Sequence, residues 1–140
     1  MQPVEELIAL VRARGGKVTP QRMLIYEALQ GDSSHPTAEQ LYERLRVRLP
    51  HLSLSTVYST VHDLAAMGEL RAFATSDGQL HFDPDTRPHA ELVCVHCRRI
   101  DDVQSAGGES TELPPNLCGY QVYGKTELYY GLCPQCRVSA

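Results

Sequence analysis

Two short motifs constrain this chain more than anything else in it: Cys94-Val95-His96-Cys97 and Cys133-Pro134-Gln135-Cys136, with thirty-five residues between them. A CxxC turn aims both of its sulfurs at one point, and two such turns complete a tetrahedral shell of four thiolates. Thiolate-only coordination favours zinc, and a closed shell leaves no open position for chemistry. A redox dithiol of the thioredoxin type remains the alternative for one CxxC, and the second pair argues against it. Zinc on Cys94, Cys97, Cys133 and Cys136 would pin the C-terminal segment to the strand before it, which a short segment with little apolar core needs. The fifth cysteine, Cys118, reads as a small buried hydrophobe, and His96, inside the first turn, as exposed.

The 140 residues suffice for one ordinary domain or two small ones. No apolar run is long enough to span a bilayer, and the opening MQPVEELIALVRARGG carries acids ahead of its apolar stretch, unlike a signal peptide. A cytoplasmic protein is therefore expected, where reduced thiols suit metal binding better than a disulfide frame. The net charge of −4 gives no overall case for nucleic acid. Its distribution says more: Arg12, Arg14, Lys17 and Arg22 meet no acid between Glu6 and Glu27, and RLRVR holds Arg44, Arg46 and Arg48. Such patches can bind phosphates on an acidic protein; solvated helix faces are the alternative.

The first half reads as helices followed by a hairpin. Leu7, Ile8, Leu10 and Val11 form a helical stripe ended by Gly15-Gly16. Thr19-Pro20 predicts an N-cap with proline at the first helical position, and Thr37 with Gln40 predicts a capping box. A fourth helix, capped by Ser53 or Ser55, carries Leu54, Val57, Tyr58, Val61, Leu64 and Ala65 at helical spacing, and stops at Gly68. Its other face shows Thr56, Ser59, Thr60, His62 and Asp63. ELRAFATSDGQLHFD then reads as two strands around Ser76-Asp77-Gly78. Helices, the last polar on its outer face, then a hairpin: this is the order of a winged helix-turn-helix, whose last helix enters the major groove. From Pro84 the texture changes. DPDTRP reads as a linker, and AELVCV, RIDDV, YQVY and ELYYGLC as strands, which separates a domain at 1–84 from another at 85–140.

A second ligand-rich cluster surrounds the first CxxC. His89 and Glu91 are two apart and share a face on a strand. Only one of Asp101 and Asp102 can share a given face of the next strand, and Asp83 and Asp85 lie just before. Mixed imidazole and carboxylate donors suit octahedral manganese or ferrous iron better than tetrahedral zinc; plain surface charge is the alternative.

The chain resembles the ferric uptake regulator family of metal-dependent bacterial repressors along nearly its whole length. The resemblance is carried by KVTPQR at 17–22, HPTAEQLYERL at 35–45, SLSTVYSTVHDLAAMGEL at 53–70, HFD at 81–83 and YYGLCPQC at 129–136 together with the CxxC pairs. It implies an α+β protein: a winged-helix DNA-binding domain, then a small α/β dimerisation domain with structural zinc, one per subunit. It implies homodimers on palindromic double-stranded operators when a regulatory metal is loaded. Matched by position, the regulatory ligands fall on His35, Asp83, His89, Glu91 and Asp102. Glu91 stands where the family usually has histidine, which tilts the site toward Mn2+ or Fe2+ and away from zinc or nickel. A further sensory site of iron-responsive members falls on Pro88, Ala90 and Lys125 and is lost. The usual helix in 104–116 is expected to be shortened or missing.

For DNA, the resemblance points to Thr56, Tyr58 and Ser59 on the recognition helix and to Lys17, with Arg22 beside it, as a phosphate or minor-groove contact. Ser59 stands where iron-type members often have arginine, so the bidentate guanine contact is unavailable and operator sequence stays open. The expectation is a metal-dependent repressor responding to manganese or ferrous iron, with peroxide sensed if iron on His35 and His89 promotes their oxidation. It has no membrane partner, no small organic substrate and no catalytic role. Alternatives are a zinc- or nickel-responsive relative, a non-haem iron enzyme using His35, His89 and Asp83, and a constitutive zinc-ribbon interaction protein.

Overall fold

The computed structural model describes residues 1–103 and 116–139. They form two compact units, Met1–Thr86 and Arg87–Ala140.

The first unit runs α1 (Val4–Ala13), α2 (Pro20–Leu29), α3 (Ala38–Leu45), α4 (Leu54–Ala66), β1 (Arg71–Ala74) and β2 (Leu80–Asp83). α1 follows Pro3, which makes no side-chain cap, whereas α2, α3 and α4 each begin where a capping side chain satisfies a free backbone N–H. Thr19 Oγ1 accepts from the Arg22 amide at 3.2 Å, with Pro20 opening α2. Thr37 and Gln40 exchange bonds in a full capping box, 3.2 Å from the Gln40 amide and 2.9 Å from the Thr37 amide. Ser53, rather than Ser55, caps α4. The four helices bury one core that includes Leu7, Val11, Ile25, Leu29, Leu41, Val57, Val61 and Leu64, which Phe82 of β2 joins. Thr60, expected on the polar face of α4, is instead buried. Its hydroxyl bonds the Thr56 carbonyl one turn back, which satisfies the oxygen without water. β1 and β2 pair antiparallel from Arg71↔Asp83 to Ala74↔Leu80. Gly78, at φ +82°, makes the expected turn possible.

The second unit contains, among its described residues, β3 (Ala90–Cys94), β4 (Ile100–Val103), β5 (Asn116–Leu117), β6 (Tyr120–Gln121), β7 (Leu128–Gly131) and α5 (Pro134–Val138). β3 is the central strand of a three-stranded sheet, antiparallel to β4 and parallel to β7. β5 and β6 make a small hairpin whose turn is Cys118-Gly119, at φ +50° and +83°. That turn corrects the expectation for Cys118, which is exposed rather than buried: a two-residue hairpin tip points its side chains at solvent. The helix expected to be shortened or missing in 104–116 lies outside the described residues but for Asn116, which opens β5.

Candidate metal centres and nucleic-acid face

The four expected zinc ligands converge. One sulfur from each of Cys94, Cys97, Cys133 and Cys136 lies within 4.8 Å of the others, and the Sγ atoms of Cys97 and Cys133 are 3.7 Å apart. A tetrahedron with zinc–sulfur bonds near 2.3 Å has an edge of about 3.8 Å, so the spacing fits zinc. Local structure sets it up: Cys94 ends β3, the chain turns through Arg98 at φ +66°, and Cys133 and Cys136 bracket the first turn of α5. The Cys133 amide donates to Cys94 Sγ at 3.4 Å. That bond, with the Cys97 amide next, pulls the Cys94 thiol down to about 5. Proton sharing with Cys133 and its neighbours, together with burial, pushes Cys136 up to about 12. Four thiols so close resist joint ionisation unless a cation neutralises them, as zinc does. His96, expected to be exposed, is exposed, and its Nδ1 lies 3.4 Å from Cys136 Sγ.

Within the same unit, β3 and β4 bring together three of the five expected regulatory ligands. Glu91 is opposite Asp102 in the register, and His89 stands one residue before β3. His89 Nε2 is 3.1 Å from Glu91 Oε1 and 3.5 Å from Asp102 Oδ1. The Glu91 side chain is fully buried and that of His89 6% exposed, while Asp102 stays partly in solvent at 39%. His89 Nδ1 lies 2.8 Å from the Arg87 carbonyl. A carbonyl only accepts, so Nδ1 carries the proton, and the Nε2 lone pair is left available as a donor. Asp101 turns away to Arg99, at 2.7 Å.

In the first unit the remaining two lie together, with a ligand atom of His35 within 4.8 Å of one of Asp83. Both are 1% exposed. Asp83 closes β2 and accepts from the Asp85 amide at 2.8 Å, with Arg71 Nη1 3.5 Å away. His35 lies in the loop before α3, against the same strand.

The residues expected to meet DNA are more varied. Lys17 is exposed in the α1–α2 loop, with Arg12 and Arg14 exposed just before it. Arg22 is paired with Asp63 of α4 at 2.7 Å. Ser59 is exposed and donates to the Thr56 carbonyl at 3.1 Å; Thr56 is half-buried, its hydroxyl 2.8 Å from Ser53 Oγ. Tyr58 is half-buried, stacks on His62 at 6.2 Å and 15°, and donates a hydrogen bond from its hydroxyl to Glu39. That hydrogen bond holds the Tyr58 hydroxyl above its ordinary value and the Glu39 carboxyl below its own. Neither Glu39 nor His81, which bonds the backbone of His35, was singled out from the sequence. For His81 the signal was present: it is two residues from Asp83, so both project from one face of β2.

The sequence model of the ferric uptake regulator family matches residues 13–113. The chain belongs to this family. Its curated relatives include the peroxide-responsive repressors PerR of Staphylococcus epidermidis and Staphylococcus aureus, each 30% identical over 135 residues. These alignments cover 96% of this chain and 90–91% of the relatives. Among solved structures, the ferric uptake regulator of Helicobacter pylori superposes with a TM-score of 0.78 at 17% identity, covering 97% of this chain and 95% of that one. A zinc-bound manganese uptake regulator gives 0.70 at 24% identity, covering 94% and 99%. As a family member, the chain is a transcriptional regulator rather than an enzyme, of α+β fold. No helix among the described residues is long and apolar enough to cross a membrane.

Proposed function

We propose that this chain is a metal-activated repressor that binds double-stranded operator DNA as a homodimer, through a winged helix-turn-helix first unit. Structural zinc, one per subunit, belongs on Cys94, Cys97, Cys133 and Cys136. The sensed ion, manganous or ferrous, belongs on His35, Asp83, His89, Glu91 and Asp102. One observation carries the reading: Glu91, fully buried, lies 3.1 Å from His89 Nε2. Burying a carboxylate is costly unless a cation or hydrogen bonds compensate, and a divalent ion supplies that charge. The donor set is nitrogen and oxygen without sulfur, which suits manganese and ferrous iron. Lys17, Arg22, Thr56, Tyr58 and Ser59 are the proposed DNA contacts, with Lys17 free to meet phosphate and Ser59 exposed on α4. In the second unit, exposed Leu117, Tyr120, Tyr123 and Val138 supply apolar area for a second copy.

Because the ligands come from both units, the ion can act only by binding one arrangement better than others; a hundredfold preference is about 2.7 kcal/mol. The test is to select DNA from a random library with metal-loaded protein, then titrate Mn2+ or Fe2+ into zinc-loaded protein. Operator affinity rises sharply if the reading is right; an affinity indifferent to both metals sinks it. A response to zinc or nickel at lower concentration would assign the chain to that alternative.

The names of the staphylococcal relatives favour a second reading, peroxide sensing. With iron bound, peroxide would transfer one oxygen to the imidazole of His35 or His89 and leave as water. Mass spectrometry of peptides from iron-loaded, peroxide-treated protein reads the added oxygen, and unmodified His35 and His89 peptides leave manganese sensing alone.

A further inference from the structure

We propose that His81 is a positioning residue for metal capture, holding His35 in place through its backbone. The inference rests on the reading above, in which His35 and Asp83 take a divalent ion. His35 has φ +49°, the left-handed region that residues with a Cβ rarely occupy. It also precedes Pro36, whose ring drives the residue before it toward extended conformations. Left to itself, this dipeptide would relax, so something outside it must hold the conformation.

Strand β2 does so with two consecutive residues. The His81 Nδ1–H donates to the His35 carbonyl at 2.7 Å, and the Phe82 amide donates to the Pro36 carbonyl at 3.0 Å. The carbonyl can only accept, which fixes the His81 proton on Nδ1. The imidazole cannot swing aside: it is 7% exposed and stacks on Phe73 at 5.8 Å and 21°, and Phe73 in turn meets the His35 ring edge-on at 6.0 Å. The third residue of the run, Asp83, brings its carboxylate to the His35 side chain. One short strand therefore carries a ligand and the brace for its partner, and His35 reaches Asp83 because His81 grips its carbonyl.

The experiment compares His81→Phe and His81→Asn with the wild-type zinc-loaded chain. Phenylalanine keeps the ring and its stack but donates nothing; asparagine sets an amide N–H near the place of Nδ1. Mn2+ uptake is read from the loss of the free-ion electron paramagnetic resonance signal, alongside thermal melting. His81→Phe should weaken Mn2+ binding by about 10- to 100-fold, the usual cost of losing a group that orients a ligand. His81→Asn should recover most of it, with melting temperatures unchanged in both. Wild-type affinity in His81→Phe overturns the proposal. So does equal loss in both variants with lowered melting, which would assign His81 to packing. If His81→Phe fails to fold, His81→Leu supplies the donor-free comparison. A wild-type chain that takes up no Mn2+ beyond its zinc overturns the metal reading itself, and the role of His81 with it.

Discussion

At the scale of single residues, Glu91 decides most. Its carboxylate is buried beside His89, at the position opposite Asp102 in the strand register, where an imidazole would give the second unit one more nitrogen donor. Replacing it tests whether that oxygen sets the choice of ion. In Glu91→His, Mn2+ affinity should fall by about tenfold or more while zinc competes better, measured by competition between the two ions on the zinc-clamped protein. Unchanged selectivity would make Glu91 a buried structural carboxylate. Residue type and spacing alone made the four cysteines legible, because a CxxC turn needs nothing from the rest of the fold. They also suggested His89 with Glu91, two apart on a strand. They did not suggest Glu39 as the acceptor for Tyr58, because that hydrogen bond joins two helices whose packing is set by the whole core. Cys118 was misread for a related reason: burial is a property of the turn it sits in, and hydrophobicity does not report it.

At the scale of elements, α3 and the loop before it are braced by several side-chain hydrogen bonds. The capping box predicts that Thr37→Ala costs about 1 kcal/mol, read as a shift in urea midpoint with an unchanged slope. Asp32 secures the same loop by accepting from the Ser34 amide at 2.9 Å and from Arg44 of α3 at 2.8 Å. Burial works against its charged form, yet the hydrogen bonds from Ser34 and Arg44 outweigh burial and hold the carboxyl below its ordinary value. A carboxyl depressed by folding adds stability that is complete above its unfolded pKa, near 4, and is lost as pH falls through the folded value. Asp32→Asn should therefore flatten the acid limb of the first unit's stability profile and leave its shape near neutrality alone; an acid limb identical to wild type would refute the assignment. Helix starts were legible here because caps are local chemistry. The fate of Thr60 was not, since one polar residue on a helical wheel can turn inward when its own backbone satisfies it.

At the scale of the molecule, two units differ in what holds them. The first has an apolar core drawn from four helices and a strand; the second combines short strands, a buried few such as Ala90, Val93 and Ile100, and the thiolate cluster. Removing zinc with a strong chelator should abolish protection of β3, β4 and β7 in hydrogen exchange while α1–α4 keep theirs; simultaneous loss in both units would show that they melt as one. The change of texture at Pro84 is local and can be read along the chain, whereas the parallel pairing of β3 with β7 cannot. Its register, Glu91↔Leu128 to Cys94↔Gly131, links segments that nothing local ties together. That pairing has a kinetic consequence. Strands far apart along the chain must find each other before their contacts reward the lost freedom, which makes this step slow. The knuckles begin at the paired ends, Cys94 in the last pair itself and Cys133 two residues past Gly131, so capture of zinc by both halves would do the searching first. Refolding of the second unit should then proceed at a rate set by available zinc, while the first unit folds at a pace indifferent to it.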